Sequence, residues 1–125
     1  MLRAISEALK PDGRHIFYAI TLASGLTTEE RQRAIRDGNE HVGAAPGYQV
    51  LMTQAGFADV DVVDVTDSYL STMEAWSIAW KANADALIRL LGQAEYQRRI
   101  ELREVDIAAV RSKFLLRYRV SGVKV

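Results

Sequence analysis

Leu9-Lys10-Pro11-Asp12-Gly13-Arg14-His15-Ile16-Phe17-Tyr18-Ala19-Ile20-Thr21 is the stretch from which the rest of the 125-residue chain can be read. A short helix over residues 1–9 meets Pro11, whose ring disfavours helical backbone in the residue before it. Pro-Asp-Gly then makes a tight reversal, in which Gly13 is expected to supply the positive φ. The strand that follows, Arg14 to Leu22, alternates Ile16, Tyr18 and Ile20 with Phe17, Ala19 and Thr21. Both sets are largely apolar, so cover is expected on both faces, as in an α/β sheet.

Downstream, Thr27-Thr28-Glu29-Glu30 is a capping box that opens a polar helix ending near Gly38. Residues 39–47 read as a Gly- and Ala-rich loop holding Pro46. A short helix over residues 48–55 follows, with Val50, Leu51 and Ala55 expected on its apolar stripe. Gly56 closes that helix in the left-handed conformation, and Phe57 packs back. The run Val60-Asp61-Val62-Val63-Asp64-Val65 is β-branched enough to be a strand.

From Ser68 the pattern changes to a period of three and four. Leu70, Met73, Trp76, Trp80, Ala84, Leu87 and Leu91 predict one long helix with a continuous apolar face. Gly92 breaks it, and a second helix carries Tyr96, Ile100, Ile107 and Val110 inward, completing a helical hairpin. In the final segment Leu116, Tyr118 and Val120 alternate with Arg117, Arg119 and Ser121, the pattern of a strand with one apolar and one charged face. A single domain is expected, with a helix-strand-helix-strand unit (1–66), a helical hairpin (67–113) and a closing strand (114–125).

Three pieces occur in a telling order: the L-K-P-x-G-R turn before a strand, a helix-Gly-Phe-strand unit, and the closing strand. This succession resembles the region from the fifth strand onward in class I S-adenosylmethionine-dependent methyltransferases. The resemblance implies an α/β fold equal to the back half of that Rossmann-like domain. Its small mixed sheet would have an antiparallel last strand, lodged between the other two, with a long helical hairpin inserted before it. Arg117 and Arg119 would then lie near Asp59, Asp61 or Asp64. The resemblance also implies that the cofactor half is missing from the chain. The only glycine cluster, Gly43 to Gly47, follows a helix and lacks the spacing that lets backbone approach a nucleoside cofactor. No cofactor-binding residues are assigned. S-adenosylmethionine is expected only if a companion supplies that half.

Catalytic residues are unknown from the sequence. By the resemblance, Thr21, Tyr69, Trp76 and Trp80 are placed at an acceptor-substrate pocket, and His41, beside Glu40 in the loop, is the candidate base over it. His15 reads as a framework residue at a strand start. Two histidines and no cysteine make no metal centre.

Sixteen basic and sixteen acidic side chains balance to zero, so no field favours nucleic acid or an anionic membrane. Without cysteine there are no disulfides, and a cytoplasmic setting is the default. Two function classes are expected. One is the C-terminal fragment of a small-molecule methyltransferase, inactive alone. The other is a non-catalytic dimerising domain derived from the same fold. A three-stranded sheet buries little by itself, so a homo-oligomer or a complementary N-terminal half is the expected partner.

Overall fold

The structure, a computed structural model, describes residues 1–34 and 47–125. Its elements are α1 (Leu2–Ala8), β1 (Arg14–Leu22), α2 (Thr28–Ala34), α3 (Tyr48–Gln54), β2 (Phe57–Asp64), α4 (Thr66–Ala82), α5 (Ala84–Leu91), α6 (Gln93–Arg111) and β3 (Leu115–Lys124). The three strands form one sheet in the order β1-β3-β2, with β3 antiparallel to both neighbours. The last strand is therefore lodged between the other two, as expected. β1 and β2 run the same way without pairing, and across β3 the rings of His15 and Phe57 meet with centres 6.0 Å apart.

The turn before β1 forms, but by another route. Asp12, not Gly13, takes the positive φ, at 63°. Gly13 is required for a different reason: a Cβ there would lie 2.8 Å from the Lys10 carbonyl oxygen. The turn is tied to the far end of β3, since Asp12 N donates to Lys124 O at 3.1 Å and Lys124 N to Gly13 O at 2.8 Å.

One face of the sheet carries α1 and α3. Met52, Phe57 and Val120 are its buried centre, ringed by Leu2, Ile5, Leu9, Phe17, Tyr48, Val62 and Tyr118. The α3 stripe differs from the sequence reading. Met52 is fully buried, while Val50 and Leu51 are exposed. A helix of two turns has room for two competing stripes, and the sheet selected Tyr48, Met52 and Ala55. A second core gathers where β1 ends and β3 begins. Leu22, Leu115 and Ala34 meet Met73 of α4 and Ile107, Ala109 and Val110 of α6.

The Thr27–Glu30 cap is present, with Glu30 N donating to Thr27 Oγ1 at 3.1 Å. The long helix is not continuous. It breaks at Asn83 into α4 and α5, and the Asn83 amide group bonds the Ala79 carbonyl oxygen at 2.8 Å. Side-chain capping of this kind lets a helix end and restart. Gly92, at φ +87°, then turns the chain into α6. The expected cover on both faces of β1 is also absent among the described residues: Ile16, Tyr18 and Ile20 are 52%, 55% and 40% exposed.

Gly122 of β3 lies beneath α3. A Cβ added there would sit 2.9 Å from Met52 Cε and 3.0 Å from Phe57 Cβ. The Gly122→Ala variant is expected to lose about 1–3 kcal/mol of stability in urea unfolding, the range for overpacking a filled core.

Candidate functional site

The junction between β2 and α4 is held by a short polar network. Asp64 Oδ1 accepts from Thr66 N at 2.9 Å and from Thr66 Oγ1 at 2.5 Å. Thr66 Oγ1 in turn accepts from Arg117 N at 3.0 Å, and Val65 N donates to Arg117 O at 2.9 Å. Thr66 is almost wholly buried. The start of α4 is thereby fastened to the middle strand at one residue, Arg117. The Asp64 carboxyl is held below its ordinary value, first by the Thr66 hydroxyl, with partial desolvation opposing. The Thr66 N–H and the Lys113 charge add to the lowering.

The fastening sets the position of Tyr69, less than one turn into α4. The Arg117 guanidinium lies 4.4 Å from the Tyr69 ring centre and 4.9 Å from that of Tyr18 on β1. A cation between two aromatic faces is a favourable arrangement, and it holds the guanidinium plane in place. Arg119, two residues along β3, completes the floor of a groove of about 400 Å³ with Tyr18, Val65, Ser68, Tyr69, Thr72 and Arg117. The expected pairing of these arginines with β2 carboxylates is realised only at Arg119, 4.0 Å from Asp61. Asp61 sits opposite Ser121 in the ladder, two residues beyond Arg119 and four beyond Arg117. Among the described residues the lining supplies cations, phenols and aliphatic hydroxyls, with no carboxylate or imidazole. Such a set can bind and orient a polar group.

The sequence candidates separate. Tyr69 lines this groove. Thr21 is buried in β1, 2% exposed, with no hydrogen-bond partner for its hydroxyl among the described residues. Trp76 and Trp80 are not in the groove lining. They flank Arg103 of α6, with ring centres 5.0 and 5.4 Å from its guanidinium, and Trp80 stacks on Tyr96. Trp76 is 56% exposed, so it is not packed on the sheet. His41 lies outside the described residues, as does most of the Gly43–Gly47 cluster. The reading missed Tyr18, Arg117, Ser68 and Thr72 as companions of Tyr69. The alternating basic residues of β3 were the available signal.

A nucleoside cofactor needs a glycine-lined backbone and a free carboxylate at strand ends. Behind β1 stands a single glycine, Gly25, and Ala23 N is already bonded to Phe114 O at 2.9 Å. The Asp64 carboxylate at the end of β2 is occupied by Thr66. The described residues do not fit such a ligand.

Neither a protein-family model nor a curated protein matches the sequence. Solved structures do match in shape. The fold is similar to part of a phosphoethanolamine N-methyltransferase 2 from Haemonchus contortus, at TM-score 0.83 and 14% identity, over 98% of this chain and 29% of that one. It is similar to a cyclopropane synthase from Mycobacterium tuberculosis at TM-score 0.77 and 16% identity, over 98% and 48%. A putative sarcosine dimethylglycine methyltransferase from Galdieria sulphuraria matches at TM-score 0.78 and 14% identity, over 98% and 46%. The chain has the α/β fold of methyltransferase Rossmann-like domains and spans 29–48% of the length of these three structures.

The Thr66→Val variant removes the acceptor of the Arg117 N–H and the hydroxyl that stabilises ionised Asp64. It is expected to cost about 1–3 kcal/mol in urea unfolding at neutral pH. The lowered Asp64 value contributes stability above the ordinary carboxylate range and loses it as pH falls through the lowered value. A pH series should therefore show a shallower acid decline in Thr66→Val than in the parent.

Proposed function

We propose that this chain is the C-terminal, acceptor-side portion of an S-adenosylmethionine-dependent methyltransferase acting on a small molecule. In this reading the nucleoside-binding portion is supplied by residues outside this sequence. The observation that carries it is the asymmetry of the shape match: nearly all of this chain corresponds to less than half of each methyltransferase-fold chain named above. The poor fit of Gly25 and Asp64 to a nucleoside supports the same division of labour. Three of the matched structures were solved with S-adenosylhomocysteine or S-adenosyl-L-methionine bound, which supports that group as the relevant cofactor.

The part assigned to the described residues is positioning. Tyr69, held by the Asp64–Thr66–Arg117 junction, and the arginines of β3 would fix a polar acceptor in the groove. Orientation of this kind supplies much of the acceleration in a displacement that needs little proton transfer. A second reading, a non-catalytic dimerising domain, is favoured by the uncovered row of Ile16, Tyr18 and Ile20.

Calorimetric titration of the chain alone with S-adenosylmethionine is the decisive measurement. No saturable binding is expected. Tight one-to-one binding would overturn the proposed division.

A further inference from the structure

The two outer edges of the sheet are built differently. β2 carries a register shift between Ala58 and Asp61, with Asp59 at φ 50°, and Asp59, Asp61 and Asp64 are exposed along it. Bulges and charges are the usual devices that keep a strand edge from pairing with another chain. β1 has neither. It pairs with β3 without a shift over nine residues, and the only charge in the strand is Arg14.

The ladder also tells which groups β1 turns outward. Ala23 N donates to Phe114 O and Lys124 N to Gly13 O, so odd-numbered residues of β1 exchange bonds with β3. The even-numbered residues therefore aim N–H and C=O at the open edge. Among the described residues no strand meets them. Ile16, Tyr18 and Ile20 thus combine an open backbone with exposed apolar side chains on one face.

We infer that a second copy of this chain covers the edge, with β1 pairing antiparallel to β1 about a two-fold axis at Tyr18 to give a six-stranded sheet. Tyr18 is the midpoint of Arg14–Leu22, so full overlap places it opposite the partner's Tyr18. That register is self-complementary. Ile16 faces the partner's Ile20, Phe17 faces the partner's Ala19, and Arg14 faces the partner's Leu22. Three apolar side chains from each copy meet on one face, large meets small on the other, and no like charges are opposed. The inference deepens the second reading above; under the first, the half supplied from elsewhere would take the same edge of β1 in place of the second copy. Its test involves no cofactor, so its failure leaves the calorimetric result untouched.

Light-scattering mass from low to high micromolar concentration should approach twice the 14.0 kDa of one chain. Ile20→Pro removes an outward N–H without breaking the β1–β3 ladder, and Ile16→Lys places a charge in the seam. Both should return the monomer mass with far-ultraviolet circular dichroism unchanged, and Ile16→Lys alone decides should Ile20→Pro fail to fold. The chain has no cysteine, so Tyr18→Cys introduces a lone thiol at the axis, within disulfide reach of its counterpart. It should oxidise to a covalent dimer much faster than Arg14→Cys, whose counterpart lies at the far end of the seam. A monomeric parent, a dimer that survives Ile16→Lys, or equal cross-linking at the two positions would each overturn the inference.

Discussion

Every hydrogen bond between strands in the described sheet involves β3. β1 and β2 share no ladder, so each is a strand only because Leu115–Lys124 lies beside it. Val120, at the centre of that strand, is completely buried, and Gly122 leaves room for Met52 and Phe57 above it. The same strand closes the first turn through Lys124, whose ammonium also reaches the Leu9 carbonyl oxygen at 2.7 Å. Buried backbone must be paired, and this one segment pairs the inner edges of both outer strands.

The groove is a by-product of the same arrangement. Arg117 offers its backbone to the start of α4 and its side chain to Tyr18 and Tyr69. Three elements thus meet on one residue. A guanidinium stacked between rings keeps its in-plane N–H groups available, whereas one engaged by a carboxylate does not. The half-buried Glu95 behaves oppositely. Arg98 and Arg99 hold its carboxyl down to about 2, an arrangement confined to the surface of α6.

Much of this fold was readable from residue pattern. The limits of β1 follow from Pro11 and the alternation after it, and they agree with the structure at both ends. The inward face of α6 was legible because five turns of helix repeat one period often enough to outvote exceptions. α3 was not, because seven residues leave Val50 and Met52 equally eligible until the sheet is placed. The break at Asn83 was hidden by a period that continues correctly on either side of it. The groove was half legible. Tyr69 was named from the sequence and lines the groove, but Arg117 was assigned to the aspartates of β2, since a sequence does not say that Asp61 stands opposite Ser121, four residues past it. Stacking on Tyr18 needs the β1–β3 register and the α4 start together, and neither is local.

The middle strand is also the last of the three in sequence, and this has a consequence for biosynthesis. A ribosome would extrude both outer strands, their helices and the whole of α4 to α6 before the segment that joins them emerged. During that interval Ile16, Tyr18, Ile20 and the β-branched run of β2 would have no native neighbour, which is when nascent chains most often engage holdase chaperones. Pairing of the sheet therefore begins only after Leu115–Lys124 has been synthesised.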